Sequence, residues 1–593
     1  MKLTQLSQQW NLENIFAGGS TSEQLSTYIQ SIETHIVELK SKIDSCNPSN
    51  HQELAEVVEE MSRLSSRLHE SSAYVGCLVA QDVKDKEAVA IRGKLDAIGA
   101  KYHSLWTQFE EKLTQVSDNE WKTLLQYDGL YPYSFVLNER RQHAVEKLSF
   151  SQESLINDLA VDGYHAWSNL YDLVVGKMSI PFEEDGEQKE LSVGQLDNKL
   201  SSQSKETRQR AFESYSKAWE EQEDFCSEAL NHLAGFRLST YDHRKWDSVL
   251  KEPLQINRMS QATLDTMWKV IEQHKNTFVK YLDRKAEMLG LEQLGWTDVD
   301  APIGKTETKV SYDEAANFII DQFKQYNPKM SEFSRQAFEK SWIEAEDRTG
   351  KRPGGFCTSF PNAKETRIFM TFSGTPSNVS TLAHELGHAY HQHVMDELPY
   401  LNQNYAMNVA ETASTYAEML VSDAAVETAK TEEERLVLLE DKIQRSVAFF
   451  MNIHARFLFE TRFYEERSKG LVSVSRLNEL MEEAQKEAYC DALGEYHPHF
   501  WASKLHFYIT DVPFYNFPYT FGYLFSAGIY AIAKEQGDAF EDKYIALLQD
   551  TGRMTVEELA EKHLGEDLTK PQFWTRAIQL AVEDVEEFLK LTK

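Results

Sequence analysis

The sequence predicts a mainly α-helical protein with a small β-sheet, on three observations. Glycine (26) and proline (14) are scarce among 593 residues, below the usual roughly 7% and 5%, which favours long helices over turn-rich β architecture. Apolar and polar residues recur at helical spacing through most of the chain, the pattern of amphipathic helices. Only two stretches, near 173–193 and 354–372, depart from that texture.

Taken in order, residues 22–115 keep helical spacing with a single proline, Pro48, inside Cys46-Asn47-Pro48-Ser49. Two or three long, mutually packed helices are expected there. The run from Val174 to Phe182 faces Leu191 and Val193 across Glu184-Asp185-Gly186-Glu187, which reads as a β-hairpin. That hairpin closes an N-terminal helical domain, 1–195, ahead of a second domain, 196–593. Helical texture resumes near Lys205, and two short strands, 355–360 and 367–372, flank Pro361-Asn362-Ala363-Lys364.

Composition narrows the function classes. Thirty-one Phe, 26 Tyr and 11 Trp supply a large buried core. The formal charge of −32 repels phosphate backbones and anionic lipid surfaces, so no nucleic acid or membrane partner is expected. Cationic or neutral ligands, basic peptides among them, suit such a surface better. Five scattered cysteines (46, 77, 226, 357, 490) include no C-x-x-C pair, which fits a reducing compartment. The polar opening Met1-Lys2-Leu3-Thr4-Gln5 is unlike a signal peptide, and the most apolar stretch, 521–533, is too short to span a bilayer. The expectation is a soluble, cytoplasmic protein.

One segment carries chemistry: His384-Glu385-Leu386-Gly387-His388. Residues four apart on an α-helix lie one turn apart on one face, so two imidazoles can reach one Zn²⁺ at about 2.0–2.1 Å. Glu385, next along the chain, can reach a metal-bound water as general base without being a ligand. A bare match also arises by chance in a long chain, so a third ligand decides. His391 shares the face, but seven residues at about 1.5 Å rise put it too far along the axis to converge on one tetrahedral ion. The metzincin extension would need Gly at 391 and His at 394, where this chain has His391 and Val394.

The better third ligand lies in Asn408-Val409-Ala410-Glu411-Thr412-Ala413-Ser414-Thr415-Tyr416-Ala417-Glu418, beyond a turn at 398–404. Two helices joined by a short turn return antiparallel, so a Glu early in the second faces the imidazoles. Glu411 is expected as the ligand. Glu418, seven residues on, is expected to accept a hydrogen bond from the far nitrogen of a ligating histidine.

With these residues in place the chain resembles the oligoendopeptidase F family, within the thimet-oligopeptidase-like zinc metallopeptidases. The likeness includes Arg352-Pro353-Gly354-Gly355-Phe356-Cys357 ahead of the motif and the segment 506–526 after it. It implies a two-lobed helical protein with a deep channel, one zinc ion per chain, and internal cleavage of short peptides. Position by position it makes His384, His388 and Glu411 the zinc ligands and Glu385 the general base. It also implies that a His and Tyr residues of the 506–526 segment hydrogen-bond the substrate carbonyl as it becomes an oxyanion. His506, Tyr515 and Tyr519 are the matches, with Tyr508 and Tyr523 in reserve. Asn516 and Pro518 mark a helix start that sets Tyr519 and Tyr523 one turn apart.

A substrate must be held extended, and the strand 367–372, ahead of the motif helix, offers an edge for main-chain hydrogen bonding. Gly354 and Gly355 either allow close backbone approach or make a turn. The expected activity is zinc-dependent endopeptidase. A peptide-binding protein that does not cut, and an aminopeptidase, are the rival readings.

Overall fold

The computed structural model describes residues 2–184, 186–304 and 309–593. About 70% of the chain is helical, and the five strands among the described residues are short. The chain divides into two compact units, each built from three segments. The first comprises Met1–Phe150, Thr308–Val421 and Ile532–Gly565, and the second Ser151–Glu307, Ser422–Ala531 and Glu566–Lys593. These units do not follow the sequence-based division at 195/196, because helices distant in sequence complete each core.

Three long helices open the first unit: α1 (Glu23–Ser45), α2 (His51–Gln81) and α3 (Lys86–Thr114). Each begins at a side-chain cap. Ser22 accepts from the Leu25 amide, Asn50 from Gln52 and Glu53, and Asp85 from Ala88, satisfying amides that a helix start leaves unpaired. Their inward faces, with Leu39, Ile43, Met61, Tyr74 and Phe109, form one apolar cluster that reaches Phe360, Phe369 and Leu401.

In the second unit the hairpin pairs β1 (Ile180–Glu184) with β2 (Glu187–Leu191), Ile180 facing Leu191. Asp185 of the expected turn lies outside the described residues. Val174 and Val175, expected in the first strand, instead belong to the helix Ala166–Lys177. Their β propensity is overridden by a helix anchored through Tyr171, which is buried and stacked on Tyr508 at 3.7 Å.

The other sheet belongs to the first unit. Its order is β3 (Ile343–Glu344), β5 (Glu365–Phe369), β4 (Phe356–Phe360), with β3 parallel and β4 antiparallel to β5. β3, two residues long, is too short to leave a pattern in the sequence, and its presence corrects the expected edge. The strand before the motif helix is central, and β3 and β4 are the edges. Arg367, at 0% exposure, anchors the centre by donating to the carbonyls of Asn11 and Thr366.

Candidate metal centre and active site

The helix Pro376–Met395 carries the His-Glu-x-x-His motif. Pro376 stands at its first position, and Thr375 and Asn378 exchange the two hydrogen bonds of a capping box. A fixed start sets the rotation of every later residue, and His384 and His388 emerge together with ring centroids 4.8 Å apart. Glu411 sits between the short turn Met407–Ala410 and the helix Thr412–Thr428. The break places it one residue ahead of the helix that carries Glu418, and both carboxylates reach the His384 ring. Its carbonyl accepts from Thr415 N at 3.0 Å, and Ser414 Oγ donates to its Oε2 at 2.7 Å.

This arrangement brings the donors together. Glu411 Oε2 lies 3.2 Å from His384 Nε2 and 3.3 Å from His388 Nε2. One donor atom from each of the three residues falls within 4.8 Å of the others. An ion with arms of about 2.0–2.1 Å at tetrahedral angles separates its donors by roughly 3.3–3.4 Å, so the set fits a zinc-sized cation. On the far side of the ring, His384 Nδ1 is 3.2 Å from Glu418 Oε2.

The electrostatics agree. Burial alone would push His384 down, but the carboxylates of Glu411 and Glu418 outweigh it and hold the imidazole up to about 10. Burial would raise Glu411, yet the two imidazoles hold its carboxyl well below the usual range. The field that draws a proton to this cluster also draws a divalent cation.

Glu385 is 7% exposed, and its Oε2 has no hydrogen-bond partner among the described residues. Burial, offset in part by the two imidazoles, pushes its carboxyl up. A cavity of about 480 Å³ opens beside it, lined by His384, Glu385, His388 and Glu411 and walled by β4 through Phe356, Cys357, Thr358 and Ser359. His69, Gln392 and Tyr405 complete the wall; no local pattern in the sequence singles them out. The two glycines before β4 divide the roles left open above. Gly354 takes the turn at φ +92°. Gly355 is the close approach, since a Cβ there would stand 3.2 Å from Glu385 Oε1 and 3.3 Å from the Phe369 carbonyl.

His391 is fully buried, turned to Thr551 Oγ1 at 2.9 Å and stacked on Tyr405 at 4.2 Å, so it stays outside the donor set as expected. Gly387, inside the motif, has a part that the motif itself does not announce. A Cβ there would meet Ala413 O at 2.4 Å and Ser414 Cα at 2.6 Å, so the backbones cross at this point.

In the second unit, His506, Tyr515 and Tyr519 form a ring trio with centroids 5.4, 5.7 and 6.1 Å apart. Burial, then Arg456 and Lys504, pushes His506 down to about 4, leaving it neutral at pH 7. The helix Phe517–Gln536 begins directly after Asn516. That side chain accepts from Arg456 Nη1 at 3.0 Å. Tyr508 and Tyr523 are taken up by packing. Tyr508 bonds the Trp501 carbonyl, and Tyr523 pairs with Ser446 Oγ and stacks on Phe449.

Residues 199–580, well over half of the chain, match peptidase family M3. The chain belongs to that family. Residues 112–179 match a second family description, Oligopeptidase F. Among curated relatives, the Group B oligopeptidase PepB of Streptococcus agalactiae is 25% identical over 555 residues, covering 90% of this chain and 88% of PepB. Among solved structures, a Chlamydophila abortus chain superposes with a TM-score of 0.86 at 17% identity, covering 99% of both chains. Oligoendopeptidase-F from Enterococcus faecium superposes with a TM-score of 0.69 at 18% identity, covering 96% of this chain and 99% of that one. At these identities the structures speak for the fold alone. Membership in this metallopeptidase family implies a metal, and the donor set of His384, His388 and Glu411 is suited to hold one.

Proposed function

We propose that the protein is a zinc-dependent oligoendopeptidase that binds one zinc ion per chain through His384, His388 and Glu411 and cleaves internal bonds of short peptides. The observation that carries this reading is the 3.2–3.3 Å convergence of both imidazoles on one Glu411 oxygen. When bound, the ion acidifies water and polarises the scissile carbonyl.

The rest is the work of the chain. Glu418 holds the His384 ring by its Nδ1, which directs Nε2 into the site. Glu385 is the general base. Its carboxyl is raised by burial toward the operating pH, and Oε2 is free to accept a proton from water and pass it to the leaving amine. β4, the edge strand along the cavity, takes the extended substrate through main-chain hydrogen bonds. Such contacts read backbone more than side chains, so sequence preference is broad. The trio His506, Tyr515 and Tyr519 supplies hydrogen bonds to the substrate oxyanion. The scattered free cysteines support a cytoplasmic setting.

The test is a mixed peptide library, including N-terminally blocked peptides, read by mass spectrometry with and without chelator, alongside the zinc content of the purified protein. The expected result is about one zinc per chain and chelator-sensitive internal cleavage. Cleavage confined to free N-termini would make it an aminopeptidase. Glu385→Gln should keep its zinc and lose about 10²–10⁴ in turnover. Peptide binding without cleavage by the wild-type protein would support the non-cutting alternative.

A further inference from the structure

The ring trio hangs on a stretch with little secondary structure of its own. Between the 3-10 turn Leu505–Phe507 and the helix Phe517–Gln536, no regular element holds the backbone. Phe514, directly before Tyr515, sits in the left-handed region at φ 54°. A bulky residue is disfavoured there and stays only where its surroundings over-determine the conformation.

The surroundings are a buried ionisable pair. Arg237, 5% exposed, reaches from the helix Glu223–His243 and donates through Nη2 to the Ile509 carbonyl at 2.6 Å. Its other donors go to the hydroxyls of Tyr464 (2.8 Å) and Tyr164. Tyr164 in turn donates to the Thr510 carbonyl at 2.9 Å. Glu460, 3% exposed, accepts the Phe514 amide on Oε1 at 3.2 Å, and the Tyr464 ring stacks on Phe514 at 5.3 Å. Each end of the 509–514 segment is thus pinned through its main chain by a buried ionisable side chain.

Ordinary core residues do not need this. Burying an arginine and a glutamate is unfavourable, and apolar side chains would fill the same space without that penalty. Backbone-directed bonds from both, on the one irregular segment that leads into the trio, fix where that segment ends.

We propose that Arg237 and Glu460 are positioning residues for peptide hydrolysis: a buried latch that holds 509–514 and thereby aims Tyr515 and Tyr519 beside His506. The inference rests on the donor role given to the trio above. Burial pushes the Glu460 carboxyl up to about 8, against the pull of Arg237, so at neutral pH it is mostly protonated. Glutamine therefore imitates it, and alanine removes the acceptor.

The test compares Glu460→Ala, Glu460→Gln and Arg237→Lys in the zinc-loaded full chain, on an N-terminally blocked, internally quenched peptide. Glu460→Ala should lower kcat about 10–100-fold with KM within about threefold and zinc content unchanged, because misplaced groups cost turnover. Glu460→Gln should stay within about threefold of wild type. In a Tyr519→Phe background the Glu460→Ala loss should shrink to about threefold or less, since residues acting as one unit are not additive. Wild-type kcat in Glu460→Ala, or an undiminished loss in that background, overturns the latch. If Glu460→Ala does not fold, Arg237→Lys, which keeps the charge but loses the planar fork, carries the same comparison. Should Tyr515→Phe and Tyr519→Phe both turn over normally, the donor role is what has failed. Amide exchange at 510–519 then decides separately, faster exchange in the variant upholding the latch and unchanged exchange overturning it.

Discussion

At the scale of single residues, His384 shows how the candidate site is held. Both ring nitrogens are engaged, Nε2 facing Glu411 and Nδ1 facing Glu418. An imidazole with one nitrogen hydrogen-bonded to a carboxylate has a fixed tautomer and a more basic second nitrogen. Glu418→Gln keeps an acceptor but removes the charge, so zinc affinity should fall about 10–100-fold with the fold intact. Competition against a chelating dye measures this, and wild-type affinity would remove Glu418 from the metal centre. The two histidines and Glu385 were legible in the sequence because one helix's period brings them together. Ser414, which donates to Glu411, was not, and Gly355, which clears room for Glu385, was legible only as one of two glycines that either allow close approach or make a turn. Their importance lies in what stands opposite them, and no local pattern records that.

At the scale of elements, the centre is a crossing of two helices, and its tightest point is Gly387. The helix Pro376–Met395 passes so close to the chain entering Thr412–Thr428 that any side chain at 387 would collide with Ala413 and Ser414 backbone atoms. Backbone cannot rotate aside as a side chain can. Gly387→Ala should therefore cost about 1–3 kcal/mol of stability and weaken metal binding, since the displaced residues adjoin Glu411. Gly93 makes the opposite case. It lies exposed within α3, and a Cβ added there would find nothing within 4 Å. Gly93→Ala should stabilise by about 0.4–1 kcal/mol. Denaturant midpoints of the two variants check both signs, and a harmless Gly387→Ala would refute the close crossing. The approach of the second helix to the imidazoles was readable from the sequence, but the break at Glu411 was not. The break sits at Glu411, whose carbonyl takes the first bond of the following helix from Thr415 N and whose carboxylate accepts from Ser414, in a stretch whose spacing reads as one continuous helix. The sheet's edges are hidden from the sequence for a similar reason, since sheet order depends on β3, two residues long and distant in sequence.

At the scale of the whole molecule, helical character was legible throughout, because it repeats along nearly every segment. The division into units was not, because each is completed by segments hundreds of residues apart. Both units bury histidines that stay neutral: His391 in the first, His454 and His497 in the second, none more than 2% exposed. Burial, reinforced by His388, pushes His391 down to about 3. Burial likewise pushes His454 and His497 well below their ordinary value, helped by Lys275 and Arg462 for one and His499 and Lys504 for the other. In the unfolded chain each takes up a proton near pH ~6.5, while the folded protein still excludes it. Below that pH the unfolded state binds more protons, so stability is full above about 6.5 and is lost as pH falls toward the folded values. Each such histidine contributes a slope of ~1.4 kcal/mol per pH unit within its window. His497 isolates the effect, because neither ring nitrogen has a hydrogen-bond partner among the described residues and its ring packs against Phe212 and Phe500. Its backbone bonds to Gln485 survive a change of side chain. His497→Leu removes the titrating group, so the fall in urea midpoint from pH 7 to pH 5 should be smaller in the variant than in the wild type, whatever the packing cost common to both pH values. Parallel curves would mean that His497 is already protonated in the folded protein, and that acid lability comes from carboxylates instead.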